Sequence, residues 1–565
     1  MKLVMGERVR RWVGYVWLCL LAGALLVSGL STDRRARQVE EYACFCDPYG
    51  YLQSAREVRQ AEANRRWPDF TITSSQSRLL IDMFRVRQVP YQEWQELVAP
   101  LCHHYFPRTD RIGVQYPPGT GIMLAFFPEG KALHRLDRLA VLALVGTGLA
   151  MLAVAAIKKA WLSAGFMIFT LTVGLEVLAG IDNASFSINA MFVPIMLSSL
   201  LLVGAFALRN KRAASLYWTC FFAFLAGWEF GFAILVRLQI VFLLPGIVAL
   251  LWPSSLRRRY QSALPSFSLG LIIGGLLPLA IYQSRLAGAW YLPTYAGGNA
   301  NRPTLKSLVP NLRFYFQPGK PSQFNWTLPV MIVACLGLFV WSRLRVNRNL
   351  PSDFLHPLSW RRVSIACVLT WAIPTLYFLT HEVTTHYYPI PTIFVTLLLL
   401  ALCALRLEQS KRAAGFAQRA VQVAAFTLAL VPGSIAIGRA WSNYSPPTIE
   451  RKPHHFELPA ELADEHAWVW AAELSGTVGY YADKAAHKID FASPETRLMA
   501  YEFVRRRGEP QYLIVDDPDM QLVQDEITQF GAVLEQRGEV EGYFYYLIHW
   551  PGDSFQTQAQ NPRPR

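Results

Sequence analysis

The feature that most constrains this chain is a succession of apolar runs, each about 20 residues long or slightly shorter, separated by short basic loops. A membrane-spanning helix needs about that length, because the hydrocarbon core is about 30 Å thick and a helix rises about 1.5 Å per residue. About eleven such runs are legible. They lie near Arg11–Leu30, Leu139–Ile157, Trp161–Gly180, Phe186–Leu208, Leu216–Val236, Leu238–Trp252, Phe267–Ser284, Thr327–Trp341, Val363–Leu379, Pro389–Leu405 and Ala420–Ile437. The expected fold is therefore mainly α, a polytopic helix bundle. Composition excludes an ordinary soluble chain: only 17% of the residues are charged, against roughly 25% in soluble domains.

The net charge of +14 does not make the chain a nucleic-acid binder, because most of the Lys and Arg sit in clusters between apolar runs. That is the pattern of cytoplasmic loop anchors. Lys158–Lys159, Arg209–Lys211–Arg212, Arg257–Arg258–Arg259, Arg343–Arg345–Arg348 and Arg406–Lys411–Arg412 fall on alternate loops, while Ile181–Ser185 and His381–Tyr388 contain neither residue. The asymmetry predicts a cytoplasmic N-terminus and a C-terminus on the outer face. The first run, behind Arg8, Arg10 and Arg11, lacks a convincing cleavage site and is read as an anchor helix.

Two large polar regions then face outward, a first loop over Ser31–Arg138 and a tail from Ala440, with a smaller loop over Arg285–Trp326. The expected division is a membrane domain over 1–437 that includes these loops, a C-terminal extracytoplasmic α/β domain over 438–553, and a disordered Gln- and Pro-rich end over 554–565. In the tail, strands are expected near Ala467–Ala471, Gln511–Val515 and Gly542–His549, with helices near Pro494–Arg506 and Asp519–Phe530. The first loop suggests helices at Tyr49–Ala63 and Gln92–Leu97. If this face is oxidising, Cys44 or Cys46 can pair with Cys102.

Candidate chemistry concentrates in the first loop, which opens with Cys46-Asp47-Pro48-Tyr49-Gly50-Tyr51 and closes with Gln115-Tyr116-Pro117-Pro118-Gly119. Asp47 suits either a helix cap or a catalytic carboxylate. His103-His104 suits either a metal ligand pair or two incidental loop residues, and Asp516-Asp517 either an acidic site or a charged loop after a strand.

Together the pieces resemble the GT-C superfamily of membrane glycosyltransferases, and most nearly the bacterial family 39 protein mannosyltransferases and aminoarabinose transferases. The Asp47–Arg56 segment, the Tyr-Pro-Pro-Gly at Tyr116, Gly227–Arg237 followed by Pro245, Tyr282–Gly288 with Tyr295, and His386-Tyr387-Tyr388-Pro389 occur in the family's order. The chain departs from it in having Cys46 beside Asp47 instead of a second carboxylate, no acid before Pro194, and His386 where Arg is commoner.

The resemblance implies inverting transfer of a sugar from a polyprenyl-phosphate donor to a lipid, glycan or protein acceptor on the outer face. It implies Asp47 as the base that takes the acceptor proton. It puts Arg237, then Arg56 and Arg138, forward for the donor phosphate, and Tyr49, Tyr51, Tyr116, Tyr295 and His386 for substrate binding. No cofactor is required, although some members use a divalent metal. Competing readings are a catalytically inactive membrane scaffold and a lipid or glycan transporter. Few mid-span ionisable residues, chiefly Glu176 and Glu229, speak against the transporter.

Overall fold

The computed structural model describes residues 2–36, 46–158, 161–180, 186–208, 214–252, 263–295, 303–316, 360–381, 388–409, 456–490, 492–516 and 520–551. The expected spans Thr327–Trp341 and Ala420–Ile437, along with Cys44, His386, Asp517 and the 554–565 end, lie outside the described residues. Internal contacts divide the chain into two units. One comprises 1–41, 117–282 and 299–452, and the other 42–116, 283–298 and 453–565.

The first unit is a helix bundle. Among its described residues, Trp12–Arg34, Ala132–Ile157, Ser187–Ala205, Leu216–Val236 and the stretch from Ala263 are long and apolar enough to cross a membrane. Shorter apolar helices run over Ser163–Leu178, Leu238–Leu251, Ile365–Thr380 and Ile390–Leu399. The protein is a multi-pass membrane protein of mainly α fold. Helices suit that setting because each satisfies its own backbone hydrogen bonds where no water can.

Three helices depart from expectation for identifiable reasons. The helix Ala132–Lys158 starts before Leu139, since Leu133, Leu136, Ala140 and Leu144 form one buried stripe at helical spacing that extends through the polar residues between them. The run expected at Leu238–Trp252 is a 3₁₀ segment, Leu238–Leu243, followed by the helix Leu244–Leu251. Pro245 occupies the first turn of that helix, where a missing N–H costs nothing. The run expected at Phe267–Ser284 begins at Ala263 and contains a π-helical turn, Ile272–Leu276, just ahead of Pro278.

The helix Ala263–Leu271 and the π turn after it pack on the helix Ala214–Val236 backbone against backbone. A Cβ on Gly227 would stand 1.9 Å from the Phe267 carbonyl oxygen, and one on Gly270 1.9 Å from the Phe224 carbonyl oxygen. Only glycine permits this approach, the small-residue packing that helices use in lipid.

The second unit holds two sheets. A three-stranded antiparallel sheet orders its strands Thr71–Ile72, Arg111–Val114 and His103–Phe106. A five-stranded sheet orders Ala486–Lys488, Trp468–Ala471, Gln511–Ile514, Tyr543–His549 and Val533–Val540. Its first three strands are parallel and its last two join antiparallel. The helix Pro494–Arg506 starts as its sequence dictates: the Ser493 side chain accepts from the Thr496 N–H, and Pro494 begins the first turn. One core serves loop and tail together, with Leu80, Phe84, Trp94 and Tyr105 from the loop packed among Trp468, Trp470, Tyr501 and Ile548 from the tail. The N–H of Lys488 also donates to the Ala99 carbonyl at 3.1 Å.

Candidate functional site

In the second unit, Asp47 lies in the first turn of the helix Cys46–Ala63, where unpaired N–H groups favour a carboxylate. Its Oδ1 accepts a hydrogen bond from the Tyr116 hydroxyl at 2.5 Å. Burial, then the charge of Asp47, raises the Tyr116 hydroxyl well above its ordinary pKa, so the phenol keeps its proton and donates.

An aromatic wall surrounds this pair. The Tyr51 ring lies 4.7 Å from that of Tyr116, and Tyr295 meets Tyr116 edge-on at 5.6 Å. Gly50 makes room, since a Cβ there would come within 2.7 Å of the Tyr116 ring. A disulfide joins Cys46 to Cys102 and fixes the start of the helix to the loop preceding the strand His103–Phe106. The Cys46 sulfur also accepts from Gln115 Nε2 at 3.2 Å, and the Gln115 carbonyl accepts from Thr294 at 2.7 Å.

Tyr49 and Arg56 belong to a neighbouring group on the same helix. Tyr49 packs on Gly476, meets Tyr480 edge-on at 6.4 Å, and lies 5.2 Å from His103. Burial raises its hydroxyl pKa, and Arg56 partly offsets the shift. The Arg56 guanidinium stands 3.7 Å over the Tyr480 ring and donates to the Tyr480 carbonyl at 2.8 Å.

In the first unit, Arg237 is buried just after the helix Ala214–Val236. It donates to the Ser187 hydroxyl at 2.9 Å and lies 5.3 Å over the Tyr388 ring. Two residues beyond Ser187, Asn189 donates to the Asp137 carboxylate at 3.0 Å. Arg138 takes a different partner and is paired with Asp33 at 2.6 Å.

Of the residues expected to matter, the fold gathers Asp47, Tyr51, Tyr116 and Tyr295 at one point and places Tyr49 and Arg56 beside Tyr480. The Asp137–Asn189 pair escaped the sequence reading because Asp137 lies in what looked like a polar approach to a span starting at Leu139. Its signal was an acid flanked by the apolar stripe residues Leu133, Leu136 and Ala140.

His103, His104 and Asp516 are each buried within the second unit. His103 and His104 are consecutive in a strand, opposite Val114 and Gly113, so their side chains leave opposite faces of the sheet and do not converge. Burial lowers both to about 4, and both are neutral near pH 7. Among the described residues, no three His, Cys, Asp or Glu side chains converge as metal ligands. Asp516 is buried, accepts from the N–H groups of Ala472 and Leu474, and so braces the turn after the strand Trp468–Ala471. Burial raises its pKa to about 6 despite those donors.

No protein-family model matches the sequence, and no curated protein does. Among solved structures, the chain is similar to ArnT from Cupriavidus metallidurans in the apo state, at a TM-score of 0.47 and 11% identity, over 95% of this chain and 98% of that one. It is similar to the same protein bound to undecaprenyl phosphate at a TM-score of 0.47 and 12% identity, over 94% and 98%. A third, the archaeal oligosaccharyltransferase AglB from Archaeoglobus fulgidus in complex with an inhibitory peptide and a dolichol-phosphate, has a TM-score of 0.42 and 11% identity over 93% and 74%.

Proposed function

We propose that this protein transfers a sugar from a polyprenyl-phosphate donor to an acceptor hydroxyl, with inversion at the anomeric carbon, on the extracytoplasmic side of a bacterial inner membrane. The observation that carries the reading is the hydrogen bond from Tyr116 to Asp47 within an aromatic wall. A neutral hydroxyl is a poor nucleophile and needs a carboxylate to take its proton as it attacks. Tyr116 orients that carboxylate, and the disulfide and Gly50 hold the orientation.

In the reaction, the acceptor oxygen bonds to the anomeric carbon while the bond from that carbon to the phosphate oxygen breaks. The acceptor proton passes to Asp47, and the electron pair of the broken bond leaves on the phosphate. A buried guanidinium stabilises that growing charge well, and Arg237, oriented by Ser187 and Tyr388, is the residue assigned to it. Arg56 and Arg138 have firm partners in Tyr480 and Asp33 and are assigned secondary roles at most. Tyr51, Tyr116 and Tyr295 supply apolar ring faces suited to a sugar, with Tyr49 and His386 as further contacts. In this reading the N-terminus is cytoplasmic and the loop-and-tail unit faces outward.

The test compares surface glycans and lipids by mass spectrometry in cells carrying the wild type, Asp47→Asn or Arg237→Gln at equal membrane levels. The expected result is loss of one sugar modification with Asp47→Asn and its strong reduction with Arg237→Gln. An unchanged glycan profile with Asp47→Asn rejects the reading.

A further inference from the structure

The Cys46–Ala63 helix has a second functional face. At about 100° per residue, Tyr49, Gln53, Arg56, Glu57 and Gln60 fall on one side of it, while Asp47 and Tyr51 project from the other. That second side walls an open cleft of about 620 Å³ within the loop-and-tail unit, lined also by Thr73 and Ser77 and by Tyr480, Tyr481 and Lys484. The volume falls in the range of about 300–1,000 Å³ found for small-molecule sites.

The lining indicates what the cleft accepts. Formal charges balance, with Arg56 and Lys484 against Glu57 and Asp483. Both cations are already engaged: Arg56 donates to the Tyr480 carbonyl and lies near Glu57, and Lys484 donates to the Asp464 carbonyl and lies near Asp464 and Glu465. No excess positive charge remains to attract a phosphate or a carboxylate. The remaining wall combines amides, hydroxyls and tyrosine rings with the apolar surface of Ile72, Pro100, Ala485 and Ala486, and this mixture suits the hydroxyl edges and C–H faces of a sugar. A peptide strand is disfavoured, because the sheet edges reaching the cleft, Thr71–Ile72 and Ala486–Lys488, are only 2 and 3 residues long.

We infer that this cleft binds an uncharged stretch of the acceptor glycan, away from the hydroxyl that reacts. The inference rests on the glycosyltransferase reading and gives its acceptor a chemical class, an oligosaccharide. Binding energy from such a remote segment would help to position the reacting hydroxyl.

The test is saturation-transfer NMR on the full chain in lipid nanodiscs, with no donor present. The probes are a panel of neutral tri- and tetrasaccharides and, separately, tetrapeptides of similar size. At least one saccharide should receive saturation from the wild type. Thr73→Trp, which fills the cleft from an exposed loop position, should abolish the signal. Gln53→Ala should weaken the affinity about three- to tenfold through loss of one hydrogen-bonding group. The readout is binding with no donor present and no sugar transferred, so the binding result stands or falls apart from the catalytic assignment. Binding of peptides alone, no saccharide binding at millimolar concentration, or full binding retained by both cleft variants would overturn the inference.

Discussion

The two units hold themselves together by opposite means. In the membrane bundle, the helices Ala214–Val236 and Ala263–Leu271 meet through Gly227 and Gly270 with almost no side chain between them. In the loop-and-tail unit, Trp468, Trp470, His487 and Tyr501 build an aromatic layer whose rings lie 5.2 to 5.9 Å apart. The difference follows from the solvent. Lipid gives apolar side chains no reason to leave it, so membrane helices gain from close backbone contact. Water drives large apolar groups inward, so the other unit gains from buried ring area.

The contrast can be broken experimentally at each side. The largest effect should come from Gly270→Leu, whose side chain has nowhere to go against the Phe224 carbonyl. No folded protein should be recovered from the membrane; recovery at wild-type level with unchanged thermal stability would show that the glycine contact is dispensable. In the other unit, Trp470→Ala should cost about 3–5 kcal/mol, as for other buried aromatics. Amide exchange in the strand Trp468–Ala471 would measure it, and a loss below about 1 kcal/mol would argue against a tightly packed aromatic layer.

The smallest effect should be a pH dependence confined to the aqueous unit. His103 and His104 are held near 4 and His487 near 3 by burial. These depressed values lie below the unfolded value of about 6.5, so the unfolded chain binds more protons in between. Stability is full above about 6.5 and is lost as pH falls toward 4. Asp516, raised to about 6, acts in the opposite direction between about 4 and 6, with one proton against three. Protection of the tail strands should therefore decline between pH 7 and 4.5, and His487→Phe should shallow that decline. A flat profile would show that the histidines are not buried as described.

How much of this was legible depended on whether the signal was local. Among the described residues, the five long spans and four shorter apolar helices correspond to runs visible in the sequence, because a lipid-crossing helix announces itself by the length of its apolar run. The helix Pro494–Arg506 was legible to the residue, because Ser493 and Pro494 mark its start. The strands Ala486–Lys488 and Val533–Val540 were not seen. The first is too short to show a period, and the second, Val-Leu-Glu-Gln-Arg-Gly-Glu-Val, is mostly exposed and breaks register between Gln536 and Gly538.

The site was partly legible for the same reason. Asp47 and Tyr116 stand out at the two ends of one loop, but their hydrogen bond spans 69 residues of chain, and only folding shows it. The core shared between Phe84 or Trp94 and Trp470 was beyond reach, since nothing in either segment names its distant partner. Asp137 was missed because apolar run length, the guide that found the helices, stops at the first cluster of charges.

The central claim is that Asp47 is the base for sugar transfer, and the purified chain in nanodiscs tests it directly. With a labelled polyprenyl-phosphate sugar and an envelope extract as acceptor source, the wild type should release free polyprenyl phosphate and label an acceptor. Asp47→Asn should lower that rate by about 10²-fold or more, with the protein folded and still binding the donor. Transfer by Asp47→Asn at the wild-type rate would contradict the claim.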